Sequence, residues 1–117
     1  MPHRSSKTVF DAFMEGWRDA KWGTVRANMQ LTANHYGFNE HKLAEMFGSV
    51  KPTGWIVDLV NNISPAMADI TARVTFAGGV HKTMSARLVK ESAPFVPDED
   101  GVWGVAPLSV LAIHDDI

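Results

Sequence analysis

The sequence predicts an α+β domain with three N-terminal helices packed on one face of a curved, four-stranded antiparallel sheet. Apolar residues recur at helical spacing up to Gly48 and at every second position from Gly54 onward. A chain of 117 residues that is 45% hydrophobic is long enough for one domain with its own core. We therefore expect a flexible N-terminus over residues 1–7, a single domain over residues 8–110 and a C-terminal tail over residues 111–117.

Composition excludes several classes of function. Eleven Lys and Arg against thirteen Asp and Glu give a formal charge of −2, and neither sign is gathered into a block. This balance argues against a nucleic-acid binder. The absence of cysteine excludes disulfides, thiolate metal sites and cysteine nucleophiles. No apolar run approaches the ~20 residues that span a bilayer, and no signal-peptide pattern follows the basic start. We expect a cytoplasmic protein without a membrane partner.

The first helix is predicted over residues 8–18. Thr8 followed three positions later by Asp11 resembles a capping box, which indicates a start at Thr8. Its apolar stripe, at spacings i, i+3, i+4 and i+7, consists of Phe10, Phe13, Met14 and Trp17.

Two further helices are predicted before Gly48. The second follows a break at residues 19–23 and continues from Trp22 to about residues 35–37. One of its faces consists of Trp22, Val25 (or Arg26) and Met29. The third fits Asn39 as its N-cap and Gly48 as its terminator. Its apolar face consists of Leu43, Met46 and Phe47.

Four strands are predicted after Gly54. The first covers residues 55–60 and ends in a turn at residues 61–65. The second and third, over residues 68–76 and 80–88, place their apolar side chains at even positions. Residues 92–101 form an acidic, proline-bounded loop, and the last strand covers residues 102–108.

The parity of the second and third strands determines the turn between them. Both apolar rows occupy even positions, and paired residues point to the same side of a sheet, so the loop must have an odd length. We predict a three-residue loop, Ala77–Gly78–Gly79, with Gly79 at positive φ. Phe76 should then face Val80.

This order of elements resembles the nuclear transport factor 2-like superfamily, whose members share a cystatin-like α+β cone. The residues that carry the resemblance are Val74–Gly79, Ala86–Glu91 and Asp100–Val105, which end in an "acid-Gly-x-Trp" pattern. It implies a sheet curled around the first helix, a conical pocket for a small apolar or amphipathic ligand, and dimerisation through the outer sheet face. These motifs resemble small members without known catalysis.

The resemblance carries over no catalytic residue. Isomerase-like members need an Asp base with a Tyr and a protonated acid as donors. Tyr36, the one tyrosine, follows the second helix, and Phe13 or Trp17 occupies the pocket-facing position of the first helix. Asp58 and Asp69 can each be proposed as the base, but alternation places Asp69 opposite the apolar row.

Aromatic residues provide the candidates for a ligand pocket: Phe13, Trp17, Tyr36 and Trp55. Aromatic walls are typical of small-molecule sites, but large side chains also fill the core of a small domain. Core packing is favoured for Trp17 and Trp103, whereas Tyr36 and Trp55 lie near the ends of elements and suit a pocket mouth.

The polar face of the predicted sheet is the second candidate site. Its residues include Arg73, His81, Thr83 and Arg87. This face is either a polar subunit interface, a recognition surface for an anionic group, or an ordinary solvated sheet face. The five histidines, at positions 3, 35, 41, 81 and 114, show no metal-ligand spacing, so neither a metal nor a cofactor is predicted.

The leading hypothesis is a non-catalytic module that binds a small ligand or assembles as a homodimer through the sheet. The alternative is a small-molecule isomerase, cyclase or dehydratase with an acidic base in the cone. An enzyme requires an open pocket that holds a buried carboxyl and a donor, whereas a module should have a cone filled by Phe13, Met14 and Trp17. A purely structural partner domain would instead expose a large apolar patch.

Overall fold

Four helices precede the antiparallel strands and one short helix follows them in the computed structural model, which describes residues 4–111. Within these residues the helices are α1 (Ser6–Arg18), α2 (Trp22–Ala27), α3 (Leu31–His35), α4 (Glu40–Phe47) and α5 (Pro107–Leu111). The strands are β1 (Pro52–Ser64), β2 (Met67–Phe76), β3 (Val80–Ala93), β4 (Val96–Pro97) and β5 (Val102–Val105). The α+β class and the antiparallel sheet are confirmed. Positions 1–3 of the predicted N-terminus and 112–117 of the predicted tail lie outside the described residues.

The sheet has the order β1-β2-β3, and both β4 and β5 pair with β3. It therefore has five strands rather than the predicted four, because residues 96–97 of the expected acidic loop pair with β3. The first strand is longer than predicted: Asn61 pairs with Asp69 and the turn moves to residues 65–66. The last strand ends at Val105 instead of Leu108, because Pro107 begins α5.

The N-terminus of α1 is capped by Ser5, not by Thr8 as predicted. The Ser5 hydroxyl accepts a hydrogen bond from the Thr8 backbone N–H at 3.1 Å, so the helix begins at Ser6. Asp11 bonds to other partners: it accepts from the Lys7 ammonium at 2.8 Å and from the Trp55 indole N–H at 3.0 Å. The second of these bonds ties α1 to β1.

The predicted second helix is split into α2 and α3. At the break, the Val105 N–H donates to the Asn28 carbonyl at 2.8 Å, and the Gln30 N–H donates to the Val105 carbonyl at 3.0 Å. These bonds place Met29 beside β5 in a parallel bridge. Within residues 4–111, four helices rather than three therefore precede the sheet. The Asn39 cap is confirmed, since its side chain accepts from the Lys42 N–H at 2.8 Å.

The hairpin between β2 and β3 has the predicted three-residue loop. Phe76 pairs with Val80, as parity requires. Gly79 has the predicted positive φ, at 81°, and Gly78 has one as well, at 90°. These backbone angles favour glycine because a side chain at positive φ is strained. The even-numbered residues are buried from Ala68 to Phe76 on β2 and from Met84 to Leu88 on β3, whereas Val80 and Lys82, next to the loop, are not.

Trp17 lies at the centre of the core and joins both layers of the fold. Its ring packs edge-on against Phe47 at 5.0 Å and Phe76 at 5.7 Å between centroids. Its indole N–H donates to the backbone carbonyls of Phe47 at 2.9 Å and Val50 at 2.8 Å. The fully buried stripe of α1 consists of Phe10, Phe13, Met14 and Trp17. This stripe packs against the even-numbered apolar rows of β2 and β3.

Trp17→Phe should destabilise the protein by about 1–3 kcal/mol, because it removes the donor to two carbonyls while keeping an aromatic ring. Urea unfolding followed by circular dichroism measures this change. Trp22→Phe is the matched control: Trp22 is only partly buried, so its loss should be smaller. Equal losses in both variants would contradict a special role for the Trp17 indole.

Candidate functional site

The space between the helices and the sheet is filled rather than open at the positions proposed to line a pocket. Phe13 and Trp17 are fully buried and pack edge-on against Phe47, at 6.1 and 5.0 Å. Trp55 is partly buried and borders a cleft on the sheet, whereas Tyr36 is 67% exposed and borders a different cleft. The structure therefore does not bring the four aromatic candidates into one cavity.

The polar sheet residues do come together. Cross-strand register pairs Ile56 with Arg73, Arg73 with Thr83, and Thr75 with His81. We define the outer face as the side of β1–β3 opposite α1; its members include Ile56, Leu59, Asn61, Asp69, Thr71, Arg73, Thr75, His81, Thr83, Ser85 and Arg87. A cleft of 690 Å³ lies at this face, and Arg73, His81 and Thr83 are among its lining residues. Arg87 lies farther along β3.

Two ion pairs balance the charge of the outer face. The Arg73 guanidinium donates to both carboxylate oxygens of Asp58, at 2.9 and 3.1 Å for the closest contacts. Arg87 donates to both oxygens of Asp69. These hydrogen bonds, with the carboxylate charge, raise the pKa of Arg73 and of Arg87. Both acids considered as catalytic bases are therefore held in ion pairs on the outer face.

Sequence reasoning missed two apolar members of the outer face, Ile56 and Leu59, each 57% exposed. Residues an odd number apart on a regular strand point to opposite sides. The register of β1 shifts between Val57 and Leu59, so Asp58 forms a bulge and Leu59 turns to the side of Ile56. The signal in the sequence was a strand with apolar residues at both odd and even positions.

A second candidate surface lies around α3, beside the C-terminal end of β3. Glu91 is buried, and its carboxyl accepts from the Thr32 backbone N–H at 3.2 Å and from the Thr32 hydroxyl. The Thr32 hydroxyl oxygen in turn accepts from the Phe95 N–H at 2.8 Å. We call this chain of hydrogen bonds, from Phe95 through Thr32 to Glu91, the Glu91–Thr32 relay. No local sequence pattern predicts it, because Thr32 and Glu91 are 59 positions apart.

Histidines form no metal centre in the part of the chain that the structure describes. No group of three or more His, Asp or Glu side chains there is arranged to hold an ion. The His81 ring lies 3.0 Å from the Thr75 hydroxyl, and the His41 ring lies 3.0 Å from Glu45. His3 and His114 lie outside the described residues. None of the helices within residues 4–111 combines the length and the apolar character needed to cross a lipid bilayer.

Comparison with known proteins leaves the chain to be interpreted from its own geometry. Neither the protein-family models, nor the curated proteins, nor the solved structures gave a match. Two surfaces therefore stand as candidates: the outer face of the sheet and the surface around α3.

Glu91→Gln should destabilise the protein by about 1–3 kcal/mol. The amide of Gln can replace only one acceptor oxygen and directs a donor toward the two donors of Thr32. Thermal and urea unfolding measure the loss. Glu99→Gln is the control, because the Glu99 side chain is exposed and its change should stay within about 0.5 kcal/mol. A neutral Glu91→Gln would contradict a structural role for the relay.

Proposed function

We propose that this protein is a non-catalytic assembly module that forms a homodimer through the outer face of its sheet. The observation that carries the proposal is the pair of exposed side chains Ile56 and Leu59, which lie beside the charge-balanced pair Asp58–Arg73. Burying these two side chains against a second copy would remove apolar surface from water without leaving a buried charge unpaired.

In a symmetric dimer, the charge balance of the outer face affects how strongly two copies associate. In a two-fold dimer the same patch meets itself, so a net charge on the patch would face an identical charge on the partner. The pairs Asp58–Arg73 and Asp69–Arg87 each cancel within one copy. The hydroxyls of Thr71, Thr83 and Ser85 can both donate and accept hydrogen bonds, which suits contact with an identical surface.

The filled interior supports assembly over catalysis. The enzyme hypothesis requires an open space beside α1 that holds a carboxyl and a donor. Phe13, Met14 and Trp17 occupy that space instead, and each is fully buried. The buried carboxyl of Glu91 lies elsewhere, bonded to Thr32.

The fold is proposed to be a nuclear transport factor 2-like cone. In support, the apolar stripe of α1 packs across the buried rows of the antiparallel strands β2 and β3. Four of the helices described within residues 4–111 precede the strands, in the order that the resemblance implies. The same resemblance implies dimerisation through the outer sheet face.

Ile56→Glu combined with Leu59→Glu should weaken self-association on the order of 100-fold, because four carboxylates would meet across the two-fold axis. Sedimentation velocity and light scattering over a concentration series measure the change. Val102→Glu is the matched control: Val102 is 54% exposed, on β5, and its change should leave the dimer intact. A native chain that remains monomeric at high micromolar concentration would overturn the proposal.

A charge swap tests the balance of the face independently. Arg73→Asp should weaken the dimer at least ~10-fold, because each copy then presents a second carboxylate beside that of Asp58, and neither charge is compensated. The double variant Asp58→Arg with Arg73→Asp restores zero net charge and should restore association in the same sedimentation assay. If the double variant stays as weak as the single one while both keep native circular dichroism, charge balance is not what the interface requires.

A further inference from the structure

Three aromatic rings form a compact cluster on the surface around α3. His35, Tyr36 and Phe95 pack edge-to-face in all three pairings, with centroids 5.3–6.0 Å apart. Tyr36 is 67% exposed and Phe95 is 53% exposed. We call these three residues, together with exposed Leu108, the aromatic patch. Its rings hold one another in fixed orientations while their outer surfaces face solvent.

The position of Phe95 is imposed by the structure at a cost in stability. Its φ of 65° is in the left-handed region, which a residue with a bulky side chain rarely adopts. The Thr32 hydroxyl accepts from its N–H, and buried Glu91 fixes that hydroxyl in turn. Backbone strain and a buried carboxyl are both unfavourable, and here they hold an aromatic ring at the surface instead of in the core. Strain of this kind is concentrated at functional sites.

An apolar cleft adjoins the aromatic patch. Its volume is 150 Å³, the size of a cavity that accommodates a single benzene ring. The lining includes Thr32, Ala33, Tyr36, Phe38, Pro107 and Leu108. The cleft therefore fits one aromatic or branched aliphatic side chain, but not a whole helix.

An acidic loop lies beside the same patch. Asp98 is three residues from Phe95, so their Cα atoms are no more than about 11 Å apart. Asp98, Glu99 and Asp100 form no ion pair with any residue between positions 4 and 111. Of the cations on neighbouring elements, Arg26 donates to the neutral amide of Asn34 at 3.1 Å, and the Lys90 ammonium lies 5.5 Å from the centre of the Trp103 ring. Negative charge that begins three residues from Phe95, a member of the aromatic patch, is complementary to a positively charged segment docked on that patch.

We propose that the aromatic patch docks a basic peptide segment of a partner protein. One aromatic or branched aliphatic side chain of that segment enters the cleft beside Tyr36 and Leu108. Flanking Lys or Arg side chains lie against Asp98, Glu99 and Asp100. Rigid aromatic anchors surrounded by polar groups are typical of the centres of binding interfaces. This surface is separate from the outer face of the sheet, so the two proposals stand or fall independently.

The test is an NMR titration of the ¹⁵N-labelled full chain with the blocked peptide Lys-Arg-Phe-Arg-Lys. Amide shifts should be confined to residues 31–38, 95–100 and 106–111. Two matched peptides separate the contributions: Lys-Arg-Gly-Arg-Lys keeps the charge without the anchor, and Glu-Glu-Phe-Glu-Glu keeps the anchor with the opposite charge. Each should bind at least ~10-fold more weakly. No shift at millimolar peptide, or equal binding of the Phe and Gly peptides, would overturn the proposal.

Protein variants complete the test. Glu99→Lys with Asp100→Lys should weaken the Phe peptide at least ~10-fold, and Leu108→Glu should also weaken it because the cleft then carries a charge. The control Glu15→Lys with Glu45→Lys makes the same change of net charge at exposed sites on α1 and α4, and should leave binding unchanged. If Leu108→Glu instead dissociates a dimer that Ile56→Glu with Leu59→Glu leaves intact, a second copy covers the patch and the proposal is overturned.

Discussion

The Trp17 indole holds the two layers of this fold in their relative positions. Its N–H donates to the carbonyls of Phe47 and Val50, at the end of α4 and in the segment that leads into β1. Its ring contacts Phe76 on β2. One side chain thus links the first helix, the last helix before the sheet and the sheet itself. Because its polar N–H is hydrogen-bonded inside the core, this large ring can be fully buried there.

Local periodicity was enough to predict the helix-to-strand order, the buried rows of β2 and β3 and the three-residue hairpin. It failed where distant segments compete for backbone hydrogen bonds. Val105 interrupts the second predicted helix by bonding to Asn28 and Gln30, and nothing near position 29 signals that pairing. The end of β1 was also misplaced, since pairing with β2 extends it through the asparagines predicted to turn.

The candidate sites, too, were predictable only where they depend on local strand alternation. Arg73, His81 and Thr83 could be grouped from strand alternation alone, because β2 and β3 pair in unbroken register. Leu59 could not, since only the bulge at Asp58 turns it to the outer face. The Glu91–Thr32 relay lay beyond sequence reasoning altogether, because it joins residues brought together by folding.

The two surfaces differ in how they are built. On the outer face the charges of Asp58, Asp69, Arg73 and Arg87 are cancelled within the chain, and Ile56 and Leu59 are displayed by a bulge that also bends the strand. Around α3 the acidic loop forms no ion pair with the described residues, and the backbone is held in a strained conformation at Phe95, whose ring lies at the surface. A net charge on a surface that meets its own copy faces the same charge on that copy, whereas a surface that meets a different chain can keep a charge that the other chain neutralises. The contrast therefore supports the proposal of self-association at the outer face and the proposal of a foreign partner around α3.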